Sequence, residues 1–439
     1  MTHTGTGGQS TRHPGTGFVV AYIATLFACY LAIITPANLT VALRIGQIDP
    51  QGKVGGLALA LGLGALCAVI ANPVFGQLSD RTASRFGMRK PWLVIGVLAG
   101  TAGLIMVAFA STVAIVVLGW CITQTFYNAT LTAVVALLPD QIPARRRGLV
   151  SGLMGICFPV SLVLGSFVAQ AVSTLPPFWM FVLPALPAPV TVLVLCVVLR
   201  DRRLAKENRA PLTLRDLTRT FAVRPRRNPD FAWACLVIFL LSIGTGTLST
   251  YLVYFLSDGL GIAAAEVPHV AFLVNLITYG LAVPTSLLAG WLNDRIGGRK
   301  QTMVFAGLLL AIGLFTIVAL RSMPGLYLGA AITGLGCGGY YCGHFGLPAE
   351  LLSADDEAAR EMGVVNIALT LPSSLVPLYG PLLLAVASPE GTNYSMLFAC
   401  GIAPCLLAIL AVGRIRRLRD RPETGAANGA STELSPESQ

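Results

Sequence analysis

The sequence predicts an all-α integral membrane protein, twelve transmembrane helices arranged as two pseudo-symmetric six-helix bundles. Three observations predict it. Hydrophobic residues make up 55% of the 439 positions and charged residues only 11%, where a soluble domain carries roughly a quarter charged. Apolar stretches recur at lengths that suit a hydrocarbon core about 30 Å thick, which takes about 20 helical residues per crossing. Basic residues then fall in every second loop. A soluble enzyme, a disordered chain and a nucleic-acid-binding module are excluded on composition alone.

In chain order, residues 1–17 are polar and Gly/Thr-rich and read as a disordered tail. They lack the basic-then-apolar build-up of a removable leader. The first bundle, 18–199, holds apolar spans at about 18–43, 55–76, 91–110, 113–138, 148–172 and 178–199. Residues 200–230 carry ten basic residues and form a basic cytoplasmic linker. Within it Leu212, Leu214, Leu217 and Phe221 could line one face of an interfacial helix opposite Arg215 and Arg219; the plain linker is preferred. The second bundle, 231–413, has spans at about 231–256, 267–291, 301–320, 325–347, 362–387 and 393–413. Residues 414–439 read as a disordered tail. Pro36, Pro73, Pro159, Pro284, Pro372, Pro377 and Pro381 lie inside spans, where neighbouring helices can satisfy the backbone they disrupt.

Charge placement orients the bundle. With the N-terminus in the cytoplasm, 27 of the 30 basic residues and 16 of the 20 acids face inward, a net +11. The outer loops hold Arg44, Lys53 and Arg321 against Asp49, Asp258, Glu266 and Glu390, a net −1. This bias places both termini in the cytoplasm and the chain in the plasma membrane. It explains the overall +10 without nucleic acid and predicts attraction to anionic membrane lipid. All ten cysteines lie in apolar stretches and read as packing thiols. The four histidines are too scattered to complete a metal site. With no phosphate-binding Gly-Lys-Ser/Thr loop either, neither metal nor cofactor is expected. The Ala/Arg-rich composition and plain tails suit a bacterial chain.

The halves repeat. Gly76-Gln-Leu-Ser-Asp80-Arg81 leads to Arg85-Phe-Gly87-Met-Arg89-Lys90, and Gly290-Trp-Leu-Asn-Asp294-Arg295 leads to Gly297-Gly298-Arg299-Lys300. Leu138-Pro139-Asp140 before Arg147 is matched by Leu347-Pro348-Ala349-Glu350 before Arg360. The offsets, 214 and 209 residues, indicate a duplicated six-helix unit.

On these motifs the chain resembles the major facilitator superfamily, Gly76–Lys90 matching its loop between helices 2 and 3 and Gly290–Lys300 its loop between 8 and 9. The resemblance spans about residues 18–413. The longer first form, Asp80-Arg81-x-x-Ser84-Arg85-Phe86-Gly87-x-Arg89-Lys90-Pro91-Trp92, is most similar to the sucrose-transporter-like and glycoside–pentoside–hexuronide branches, with extra residues between Asp80 and Gly87 relative to the commonest form. The resemblance implies a monomeric secondary carrier of a small-molecule solute, possible partners including a coupling proton. Asp80 at the membrane edge can pair with Arg or sit at a helix N-terminus. Arg145–Arg147 and the start of the eleventh helix are its expected partners, in a latch between the halves. The cytoplasmic gate set is then Gly76, Asp80, Arg81, Arg85, Gly87, Arg89, Asp140, Arg147, Gly290, Asp294, Arg295, Arg299, Glu350 and Arg360.

Polar side chains inside spans are costly unless used. In the first half these are Tyr22, Tyr30, Asn38, Gln124, Tyr127 and Asn128. In the second they are Tyr251, Tyr254, Asn275, Tyr279, Tyr340, Tyr341, His344 and Asn366. Uncharged amides and phenols suit a neutral, hydroxylated solute, since Tyr can stack on a sugar face and hydrogen-bond it. Each taken singly is more readily an interhelical hydrogen bond. No Asp or Glu falls near the middle of a span, so no carboxylate for a proton relay is evident. Drug efflux is the rival reading, although the fifth span, with Phe158-Pro159, lacks the Gly-Pro pair of antiporters. A membrane enzyme would need clustered acids or histidines, and a sensor a sizeable soluble domain.

Overall fold

The computed structural model describes residues 15–201, 228–296, 298–344, 346–349, 351, 358–386 and 393–416. Residues 202–227 of the linker expected between the halves, most of both tails, Glu350 and the side chain of Arg360 lie outside the described residues.

Among the described residues twelve long helices follow in order: α1 Thr16–Ile48, α2 Lys53–Asp80, α3 Lys90–Ala108, α4 Val113–Gln141, α5 Ala144–Ala171 and α6 Pro177–Val198. After the linker come α7 Pro229–Gly259, α8 Val267–Ile296, α9 Arg299–Leu320, α10 Met323–Gly343, α11 Ala358–Ala385 and α12 Tyr394–Val412. Eleven of them are long and apolar enough to cross a membrane by that measure alone. The remaining one, α10, is diluted by glycine and tyrosine (Gly-Leu-Gly-Cys-Gly-Gly-Tyr-Tyr over 334–341). Several helices run past the expected spans, because their ends extend through the interface to polar caps. Asn228, Ser322 and Asn393 each accept a backbone N–H at the start of α7, α10 and α12, satisfying donors that a helix start leaves open.

Packing repeats between the halves. α1 lies on α5 and α6 as α7 lies on α11 and α12, and α4 is held by α2 and α3 as α10 is by α8 and α9. The halves meet along α2–α11 and α5–α8, pairs that exchange under the same two-fold relation. Small residues permit the closest crossings: a Cβ on Gly62 of α2 would lie 2.6 Å from Leu378 of α11. Large apolar side chains such as Leu149, Val197, Leu382 and Leu410 are exposed on the outside, the inverse of a water-soluble surface and the arrangement that lipid requires.

At one intrahelical proline a neighbouring helix repairs the backbone. Pro381 of α11 has no N–H to give to the carbonyl of Pro377, and the Tyr251 hydroxyl of α7 donates to that carbonyl at 2.7 Å. Both first helices of the halves also widen into a π-turn, at Pro36–Thr40 in α1 and at Phe255–Gly259 ending α7. Such turns rotate the residues beyond them.

Candidate functional site

The residues of interest form three layers: the basic face, the middle and the opposite face.

On the basic face, the first repeated motif folds around Arg89. Asp201, just past α6, accepts the backbone N–H groups of Arg89 (2.7 Å) and Lys90 (2.9 Å), capping α3 from another element. Gly87 has φ +111°, and a Cβ there would fall 2.2 Å from the Asp201 carboxylate, so only glycine fits. Arg89, its side chain 7% exposed, pairs with Asp80 at 2.6 Å and Asp140 at 3.1 Å and donates to the Ser79 hydroxyl at 2.8 Å. A buried guanidinium is tolerable because its donors are occupied.

The expected Asp80 partner is thereby corrected. Asp80 pairs with Arg89 of its own motif, while Arg147 donates to the carbonyls of Ile142 and Pro139 at the end of α4. Chain separation hid this, because the loop folds back on itself. Arg81 bonds Gln77 at 2.9 Å and Arg85 lies over the Phe86 ring. A Cβ on Gly76 would lie 3.3 Å from Thr132 on α4.

The second motif keeps the plan with different chemistry. Arg299, in the place of Arg89, donates to the Gly346 carbonyl at 2.8 Å, and Lys300 reaches the Ile415 carbonyl beyond α12. Asn293, in the place of Ser79, accepts from Thr302. Gly290 lies opposite Cys342, Asp294 is exposed and Arg295 covers the Trp291 ring at 4.2 Å.

The opposite face is closed between the halves. Lys53, opening α2, pairs with Asp258 in the α7 π-turn at 2.6 Å, both side chains 22% exposed. The Tyr254 hydroxyl donates to the carbonyls of Ala42 (3.0 Å) and Lys53 (3.3 Å), and the Lys53 ammonium sits 5.2 Å from the Tyr254 ring centre. Tyr394 of α12 donates to Asp258 at 3.4 Å. A second crossing joins α5 and α8, where Gln170 meets His269 at 2.9 Å and Asn275 donates to Ser166 at 2.7 Å. Sequence reading used Lys53 and Asp258 only to orient the chain. Opposite charges on a face that carries so few were the signal available.

In the middle, an aromatic chain links the halves. Tyr30 meets Phe158 edge-on at 5.8 Å, Phe158 meets Tyr341 at 6.0 Å, and Tyr341, Tyr340 and His344 adjoin one another. The Tyr340 hydroxyl is 2.6 Å from Ser242 of α7, and Tyr279 is 3.3 Å from Ser249. The sequence marks Phe158 only as the neighbour of Pro159. On α4, Asn128 donates to Gln124 at 3.1 Å, so these amides share one face as expected.

The remaining predicted cavity residues are placed elsewhere or committed to the bundle. Tyr22 is fully buried and donates to Met154 sulfur, and Tyr127 is fully buried against Thr101. Tyr251 serves the α11 backbone and Tyr254 the closed face. Asn38 donates to its own helix at Ile34, and Asn366 is half-buried on α11. No group of His, Cys, Asp and Glu among the described residues could hold a metal.

The Major Facilitator Superfamily model matches residues 17–284 and 234–437. A di-/tripeptide transporter of Lactococcus lactis subsp. lactis (strain IL1403) is 24% identical over 186 residues, covering 42% of this chain and 36% of that protein. A triacylglyceride transporter of Mycolicibacterium smegmatis is 26% identical over 335 residues, covering 62% of this chain and 58% of that protein. The chain thus spans well under two thirds of these relatives. Among solved structures, the nucleoside transporter NupG aligns with TM-score 0.67 at 13% identity, covering 91% of this chain and 99% of that one. A bacterial homologue of the human lysosomal transporter Spinster, inward-facing and unoccupied, aligns with TM-score 0.66 at 13% identity, covering 93% and 96%. At these identities the likeness is one of fold.

Proposed function

Because the chain belongs to the Major Facilitator Superfamily, we propose that it is a secondary carrier moving a small organic solute by alternating access. One observation carries the reading. Two halves related by a two-fold meet chiefly along α2–α11 and α5–α8, and on one face they are fastened by a clasp of few polar contacts, Lys53, Asp258, Tyr254 and Tyr394. Such halves can rock as rigid bodies about a shared middle. The basic face lies in the cytoplasm in this reading, by the positive-inside rule, and the carrier acts as a monomer.

The middle layer presents phenols, an imidazole and amides without a fixed charge, from Tyr30, Tyr340, Tyr341, His344, Gln124 and Asn128. This chemistry favours a neutral, hydroxylated solute such as a sugar or glycoside, stacked on tyrosine and oriented by hydrogen bonds. The similarity of Asp80–Trp92 to sugar-transporting branches supports the same class.

Reconstituted full-length protein tests the proposal by counterflow. Liposomes are preloaded with a monosaccharide, a glycoside, a nucleoside or a dipeptide, and a labelled trace of the same compound is added outside. Saturable uptake of a sugar or glycoside is expected. Exchange of a peptide or nucleoside alone would replace the sugar assignment. Absence of exchange for every class, from protein with native helicity, would overturn the carrier reading. Saturable extrusion of a lipophilic dye that sugars do not compete with would favour efflux.

A further inference from the structure

Within the second half, α7, α8 and α10 enclose a small, partly open void. Its volume, about 10 Å³ for the centre of a water-sized group, admits one such group. The wall is amphipathic: Leu252 and Val274 line part of it, while Thr245, Ser249, Asn275 and Tyr279 bring polar atoms. The void shares Tyr279 with the aromatic layer, because the Tyr279 hydroxyl is bonded to Tyr341 as well as to Ser249.

The hydrogen bonds already made decide what is left for an occupant. Ser166 gives its proton to the Leu162 carbonyl at 2.8 Å, so it accepts from the Asn275 amide at 2.7 Å. That contact fixes the orientation of the amide. Asn275, only 6% exposed, keeps a second N–H and its carbonyl oxygen uncommitted. Thr245 donates to the Ser242 carbonyl at 3.1 Å and Ser249 to the Thr245 carbonyl at 3.2 Å, which leaves both hydroxyl oxygens as acceptors. An uncharged donor beside uncharged acceptors matches a group that both accepts and donates. A hydroxyl does so. A cation would be opposed by the N–H, and a methyl group would leave buried polar atoms without partners.

We infer that the void is the subsite for a hydroxymethyl arm of the solute; this rests on the sugar reading and narrows it to hexoses and their glycosides. A void for one group excludes a sugar ring, and ring hydroxyls stand directly on the ring. The C6 hydroxyl of a hexopyranose is held off the ring by one carbon. That carbon meets Leu252 and Val274 at the wall while the oxygen reaches Asn275, accepting from its N–H and donating to an acceptor beside it. With no solute bound, a water molecule makes the same bonds. A site built to hydrogen-bond a hydroxyl rejects the analogue lacking it, because its own buried groups are then unpaired.

Counterflow of labelled glucose in reconstituted full-length protein tests this, with unlabelled glucose, 6-deoxyglucose and xylose as competitors. Half-inhibition by 6-deoxyglucose or xylose is expected to need at least about tenfold more sugar than by glucose. Thr245→Val keeps the side-chain shape, removes one acceptor and should lower that ratio. Ser249→Val fills the void and should bring the ratio to about one, the arm no longer being admitted. A merely structural role would weaken all competitors alike and keep the ratios. Equal inhibition by the three sugars in the parent would overturn the inference and leave the void to water. Parental ratios in both variants would overturn it too, placing the arm elsewhere. Sugar exchange without the expected ratios refutes the subsite alone, whereas absence of exchange for every sugar refutes the sugar reading, and the subsite falls with it.

Discussion

Asp258→Asn should loosen the closed face without unfolding the chain. The Lys53–Asp258 pair is short, at 2.6 Å, with side chains 22% exposed. That places it between exposed pairs worth about 0.2–1 kcal/mol and buried pairs whose disruption costs about 3–5 kcal/mol. A loss near 1.5 kcal/mol is the reasonable interpolation between those limits. The Tyr394 contact at 3.4 Å adds little at that length. The bonds from Tyr254 and the α2–α11 packing around Gly62 and Leu378 survive the change. A shift of 1.4 kcal/mol multiplies the open population about tenfold. Hydrogen–deuterium exchange followed by mass spectrometry reads it directly, on peptides covering residues 41–56 and 254–262 of the purified protein. Their slowest amides should exchange about ten times faster in the variant, with the basic-face peptides unaltered. The charge-swapped double variant Lys53→Asp/Asp258→Lys should return most of the protection. Exchange indistinguishable from the parent would refute the clasp, as would a folded double variant that fails to recover it.

Four further outcomes are expected. Tyr254→Phe removes one donor shared by two carbonyls and should accelerate exchange in the same peptides by about fivefold, the equivalent of about 1 kcal/mol. Asp80→Asn retains an acceptor for Arg89, which Asp140 and Ser79 still hold; insertion and unfolding midpoint should be nearly unchanged while counterflow slows about tenfold or more, and parental counterflow rates would exclude a gating role. Gly87→Ala forces a side chain into φ +111° and against Asp201; a loss of about 2 kcal/mol or more is expected, visible as a lower unfolding midpoint, and an unchanged midpoint would contradict the cap. Gly62→Val drives a branched side chain into Leu378, which should separate α2 from α11 and mimic the exchange pattern of Asp258→Asn.

Hydropathy made the helix count and order legible, because it reports a one-body property, whether a segment prefers lipid, and the paired loop motifs at nearly one offset made the duplication legible. Pairwise facts were not legible in the same way. Asp80 carries no mark in the sequence that selects Arg89 nine residues on over Arg147, and the choice comes from Asp201 fixing the loop. Tyr251 and Tyr254 look alike as tyrosines within a span. One answers a missing N–H at Pro381, a partner 130 residues away, and the other lies just before the π-turn that ends α7. Tyr340 and Tyr341 of α10 and His344 just past it did converge in the structure, because adjacent and one-turn spacings along one helical stretch survive folding. Gln124 and Asn128 did so for the same reason.

The low hydropathy of α10 has a consequence for how the chain is made. Gly329 and Gly336 press against α9, and Gly334 and Gly338 against α8, so the property that fits α10 into its half also deprives it of affinity for lipid alone. Two residues, Arg321 and Ser322, separate it from the strongly apolar α9. The pair is therefore expected to leave the ribosome-bound translocation channel together, as a hairpin whose first limb pulls in the second. An α10 segment fused alone to a carrier domain should integrate poorly, and restoring α9 ahead of it should rescue integration. Efficient integration of α10 by itself would contradict that order of assembly.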